Sequence, residues 1–101
     1  VKKFPKHKRI SFARNLLGRA WLDDGKPATA VKILYENYTT QPEGERAPES
    51  LYFVGIALNQ LGKSAEACKA FDSVDKEYPD AAKSRLGARL VDGRKKAKCK
   101  T

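Results

Sequence analysis

Pro5, Pro42 and Pro79 stand 37 residues apart, and the same spacing relates much of what lies between them. It pairs Gly18 with Gly55, Gly25 with Gly62, Ala20 with Ala57, Ala30 with Ala67, and Lys26 with Lys63. It also pairs Leu17 with Val54, Trp21 with Leu58, and Leu34 with Phe71. Gly, Ala and Pro each mark a different backbone requirement, so their shared offset identifies a structural repeat. A repeat narrows the fold more than composition does, because each unit must be one supersecondary element that buries its apolar face on its neighbours.

Within each unit the signals are those of a helix hairpin. Phe12, Leu16, Leu17, Ala20 and Trp21 recur at helical spacing and predict an apolar face on a first helix. Gly25 ends that helix, since glycine enters the left-handed region at little cost. Pro27 opens a second helix, where a missing N–H is harmless, and Ala30, Val31, Leu34 and Tyr38 give it an apolar face that stops at Pro42. The second unit follows suit, with Leu51, Val54, Ile56, Ala57, Leu58 and Leu61, then Gly62, then Ala65, Ala67, Cys68, Ala70, Phe71 and Val74, closed by Tyr78-Pro79. Gly18 and Gly55 fall in mid-helix, at a cost of about 1 kcal/mol relative to alanine, which implies that the second helix of each hairpin crosses there too closely for a side chain. Trp21 is expected to fill the space around that crossing.

The expected fold is therefore all-α: two helix hairpins of period 37 and a C-terminal capping helix. Residues 1–9 read as the tail of an upstream repeat, 10–42 and 43–79 as the two units, and 80–101 as a capping helix with a basic tail. Asp80 is expected to cap the last helix, which runs from Ala81 to the Arg94 region with Ala82, Leu86, Leu90 and Val91 inward and Lys83, Arg85, Arg89 and Arg94 outward. Matching Pro5 to Pro42 predicts a further hairpin before residue 1, whose absence would expose Phe12 and Leu16 and favour self-association.

The formal net charge of +9 suggests an anionic partner, but its distribution points elsewhere. Residues 1–9 hold five basic residues (Lys2, Lys3, Lys6, Lys8, Arg9) and residues 94–101 five more (Arg94, Lys95, Lys96, Lys98, Lys100), with no acid at either end. Residues 10–93 carry 11 basic and 12 acidic residues. Solvated ends are the plain explanation; binding of nucleic acid or another polyanion through them is one alternative function, and a passive spacer that only separates other domains is another. No apolar run reaches the roughly 20 residues that span a bilayer. The lone His7 gives a catalytic triad or histidine metal site nothing to build on, and every repeat glycine is used by a crossing or a helix end. No enzyme activity, metal or cofactor is expected.

Cys68 lies 11 residues before Pro79 and Cys99 lies 20 after it. A straight C-terminal helix running back along its neighbour would overshoot by roughly 13 Å, too far for a disulfide, whereas a break at Gly93 would let the tail return. An intramolecular bond, or a buried Cys68 with Cys99 free or paired to another chain, both remain open. In a helical-repeat array the first helices line the concave side. That places Phe12, Asn15, Arg19, Leu22 and Asp23 from the first unit, and Glu49, Tyr52, Ile56, Asn59 and Gln60 from the second, as candidates for contact with a protein partner.

Leu17-Gly18-x-x-Trp21, Ala30, Leu34 and Pro42, then Leu51-x-x-Val54-Gly55-x-x-Leu58, Ala67, Phe71 and Pro79, resemble the tetratricopeptide pattern. Arg14 and Leu51 stand where an aromatic is usual, and the period exceeds the usual repeat of about 34. The stretch Glu45-Arg46-Ala47-Pro48-Glu49-Ser50-Leu51-Tyr52, with Gly62-Lys63, Ala65-Glu66-Ala67-Cys68 and Glu77-Tyr78-Pro79, resembles the C-terminal domain of the YbgF (CpoB) family of the bacterial Tol–Pal system. That resemblance implies a tetratricopeptide solenoid and a periplasmic location that permits a disulfide. It also implies association with TolA, a role in coordinating peptidoglycan synthesis with outer-membrane constriction at division, and a trimerising coiled coil elsewhere in the parent protein.

Overall fold

In the computed structural model of the chain, residues 4–44 and 46–99 are described, residues 4–10 by backbone alone. The side chains of the basic N-terminal segment, His7 among them, and Lys100 lie outside the described residues. The regular structure of the described residues is helical: α1 Phe4–Asp23, α2 Pro27–Thr40, α3 Ala47–Gln60, α4 Ser64–Glu77, α5 Pro79–Lys83 and α6 Gly87–Lys96. Residues 4–9 are thus continuous with α1, which runs for 20 residues where α2, α3 and α4 each have 14.

The hairpin turns are local chemistry repeated. Gly25 (φ 76°) and Gly62 (φ 80°) occupy the left-handed region. After α1, Gly25 N–H donates to Leu22 O and Lys26 N–H to Trp21 O; after α3, Gly62 N–H donates to Asn59 O and Lys63 N–H to Leu58 O. Each pair satisfies carbonyls that the helix end would orphan.

The packing is also repeated. A Cβ on Gly18 would meet Leu34 Cγ at 2.4 Å, and one on Gly55 would meet Phe71 Cε1 at 2.4 Å. Ala30 and Ala67, on the helices that make these crossings, are fully buried. α2 packs on α1 and α3, and α4 on α3, while α1 touches α3 and α3 touches α6. The result is a slab of 43 × 29 × 17 Å with α1, α3 and α6 in one layer and α2 and α4 in the other. Leu34, Phe71, Val74, Leu86 and Leu90 are its most deeply buried large side chains, and Trp21 packs half-buried against this core.

Two expectations about helix faces are corrected. On α1 the buried positions are Ser11, Asn15, Gly18 and Leu22, leaving Leu17 50% exposed and Ala20 exposed. The single last helix does not form either. Asp80 lies inside α5, whose cap position is Tyr78 with no side-chain hydrogen bond. The helix breaks after Lys83: Ser84 Oγ donates to Asp80 O (2.7 Å) and Leu86 N–H to Ala81 O (2.9 Å) before α6 begins. A serine hydroxyl bonded back to the preceding turn favours such a bend. The bend drives Leu86 into the core, and Leu90 and Ala82 follow it inward, but Val91 is left exposed.

That bend also decides the cysteines. Gly93 stays within α6, and a Cβ there would sit 2.9 Å from Phe71 Cζ. After α6 the chain turns at Lys98 (φ 58°), with Lys98 N–H donating to Lys95 O and Cys99 N–H to Arg94 O. Cys99 thereby meets Cys68 in a disulfide with Cα atoms 5.7 Å apart.

Candidate functional site

α1, α3 and the bend between α5 and α6 enclose an open groove of about 360 Å³. α1 supplies Phe12, Leu16 and Arg19, spaced to share one helix face. The start of α3 supplies Arg46 and Glu49, and the bend and α6 supply Arg85, Leu86 and Arg89.

Glu49 sits in the first turn of α3, where the helix dipole favours a carboxylate, and its side chain is almost fully buried. Arg85 Nε donates to Glu49 Oε2 at 2.5 Å and Nη2 to Oε1 at 3.3 Å, while Arg46 Nη1 lies 3.8 Å from Oε2. Burial pushes the carboxyl up, but the Arg85 hydrogen bonds and the charges of Arg85 and Arg46 outweigh it and leave Glu49 below its ordinary value. Two guanidiniums are also set against rings: Arg46 lies 5.0 Å from the centre of Phe12, and Arg19 lies 4.8 Å from that of Phe53.

Of the predicted contact residues, Phe12, Arg19 and Glu49 line this groove. Asn15, Leu22 and Tyr52 do not; all three are buried in the helix packing. Asn15 Nδ2 donates to Ser50 Oγ (3.1 Å), which also accepts from Asn37 Nδ2 (2.9 Å); Asn37 in turn donates to Ser11 O (2.9 Å), a polar knot where α1, α2 and α3 meet. Tyr52 packs edge-on against Phe53 (4.8 Å) and beside Phe71 (5.9 Å), and burial pushes its phenol up. Asp23 and Gln60 are exposed and Ile56 and Asn59 half-buried, all outside the groove. At an offset of 37, Asn15 aligns with Tyr52 and Asn37 with Val74, and the structure buries all four.

Arg46, Arg85, Leu86 and Arg89 were not anticipated. Arg85 and Arg89 were expected on the solvent face of a capping helix, and the Ser84 bend turns them into the groove. Arg94, expected outward as well, folds back onto α4, where Nη2 bonds Asp75 Oδ2 (2.5 Å) and Asp72 Oδ1 (3.2 Å).

Another groove, of about 380 Å³, lies among α2, α3 and α4, with Val31, Tyr35, Leu58 and Ala70 on its walls. No group of three or more His, Cys, Asp or Glu among the described residues is arranged to hold a metal, and no helix among them is long and apolar enough to cross a membrane. No protein-family model, curated protein or solved structure matches the chain.

Proposed function

We propose that the chain is a tetratricopeptide-type helical-repeat module that works by binding another protein rather than by catalysis. The observation that carries this reading is the repetition of one crossing: Gly18 beneath Leu34 and Gly55 beneath Phe71, each followed by the same left-handed turn. Units that stack this way build extended surfaces whose concave side suits a polypeptide. The groove between α1, α3 and the α5–α6 bend carries Phe12, Arg19 and Glu49 of the face expected there, and four of its five charged side chains are cations suited to binding.

The resemblance to the YbgF family names a context: a periplasmic Tol–Pal protein that meets TolA and coordinates peptidoglycan synthesis with outer-membrane constriction during division. The Cys68–Cys99 bond supports an oxidising compartment. Calorimetric titration with the periplasmic part of TolA tests this. Saturable binding that is weakened by Arg19→Ala with Arg89→Ala supports both partner and groove. Absence of binding removes TolA as the partner of this chain.

A further inference from the structure

We infer that the groove takes an acidic stretch of a partner polypeptide carrying one bulky apolar side chain among its carboxylates. This rests on the protein-binding function proposed above and names the class of ligand.

The charge balance inside the groove is uneven. Among the described residues, Arg19, Arg46, Arg85 and Arg89 surround a single carboxylate, that of Glu49. Glu49 is committed: Arg85 holds both of its oxygens and Arg46 approaches the second. No carboxylate of a described residue lies within 4.0 Å of Arg19 or Arg89. Elsewhere cations and nearby acids do pair, as Arg94 does with Asp72 and Asp75 and Lys96 with Asp92. Single cations such as Lys32 and Lys83 stand without such a partner among the described residues too, but only in the groove do four guanidiniums line one concavity. Like charges on low-dielectric walls focus their field on an entering anion, and the planar guanidinium fork matches a carboxylate better than an ammonium does.

The groove is also apolar. On one wall, beside a fully buried Leu86, Phe12 and Leu16 are left 38% and 46% exposed. A bare polyanion would neutralise the arginines and leave these side chains wet. One apolar residue flanked by acids satisfies both features, and about 360 Å³ accommodates a large side chain. Phe12 is a poor platform for nucleobases, because the Arg46 guanidinium already covers one face of its ring.

The test is fluorescence anisotropy on the full chain with a labelled peptide that places four carboxylates around one phenylalanine. Two further peptides replace the acids by their amides, or the phenylalanine by alanine. The protein variants are Arg19→Glu, Arg89→Glu and, as a charge-matched control on exposed α2 surface, Lys32→Glu. Arg89 is exposed and makes no hydrogen bond to a described residue, so Arg89→Glu should unfold at the wild-type midpoint and serve if Arg19→Glu is destabilised.

The acidic peptide should bind saturably and weaken with salt, and either altered peptide should bind less well. Arg89→Glu should weaken binding by roughly tenfold or more, and Lys32→Glu should leave it unchanged. Equal affinity for the amide peptide, equal loss in Lys32→Glu, or no binding would overturn the proposal. So would a single-stranded oligonucleotide that binds with the same sensitivity to Arg89→Glu. TolA binding untouched by Arg89→Glu would keep the module and remove this ligand class. Acidic-peptide binding without TolA binding would keep the ligand class and remove the Tol–Pal partner.

Discussion

The Phe71 ring is gripped from two sides by backbone. A Cβ on Gly55 would lie 2.4 Å from its Cε1 and one on Gly93 would lie 2.9 Å from its Cζ. Leu34 faces only Gly18 in the equivalent crossing and has side-chain torsions free to adjust. Alanine gains about 1 kcal/mol of helix propensity over glycine, whereas overpacking a filled site costs about 1–3 kcal/mol. Gly55→Ala is therefore expected to be net destabilising, and more so than Gly18→Ala, as read from urea unfolding midpoints. The reverse applies at Lys98, which adopts the left-handed conformation that Gly25 and Gly62 supply at the ends of α1 and α3. A side chain there costs roughly 1 kcal/mol or more. Lys98→Gly should raise the unfolding free energy by about 0.5–1 kcal/mol, less than that cost because glycine also loosens the unfolded chain.

Each element shows where local pattern stops being informative. α1 carries Phe12, Leu16, Leu17 and Ala20 at helical spacing, yet the face it buries is Ser11, Asn15, Gly18 and Leu22. The polar residues of that face bond to Ser50, Asn37 and the Arg46 N–H, partners on other helices or their caps that periodicity within α1 does not reveal, while Asn15 Oδ1 is buried without a partner among the described residues. α3 has its own device in Glu49, which ties its first turn to the α5–α6 bend through Arg85. Because the folded Glu49 carboxyl is held below its ordinary value, the unfolded chain takes up this proton more readily. The stabilisation is present above the unfolded pKa and is lost as pH falls through the folded one. Stability should thus decline with acid from about pH 4.5 downward, and less steeply in Glu49→Gln, as followed by urea midpoints across that window.

At the scale of the molecule, the C-terminal segment closes the slab and builds the third wall of the groove. Its hold is the Leu86–Leu90–Phe71 core, the Arg94 pairs with Asp72 and Asp75, and the disulfide across 31 residues. Closing a loop of that length in the unfolded chain contributes about 2–4 kcal/mol. Reduction, or Cys99→Ser, should lower stability by that order. Amide exchange should accelerate first in residues 87–99, since α6 is then held only by packing and the Arg94 ion pairs. A wild-type protein with two titratable thiols after non-reducing purification would contradict the bond. The two units are also tied across their far ends, where Tyr78 O–H donates to Pro42 O (2.6 Å) and Tyr38 O–H to the Glu77 carboxylate.

The four helices of the two hairpins, their two glycine turns and the two close crossings were legible in the sequence. Each depends on chemistry within a few residues or on a repeat that states the same requirement twice: a positive φ at Gly25 and Gly62, a missing side chain at Gly18 and Gly55. The groove was legible only in part, through Phe12, Arg19 and Glu49. Of its remaining cations, Arg85 and Arg89 depend on a bend at Ser84 that turns Arg85 toward Glu49, a residue 36 positions away. The same bend brings Cys99 within reach of Cys68, the pairing that helix lengths alone left open. Helical period states that a residue lies on a face; what that face meets is decided by where the neighbouring helix lies. For this chain only the tertiary structure made Asn15 and Tyr52 core, and Arg85 and Arg89 the walls of a groove.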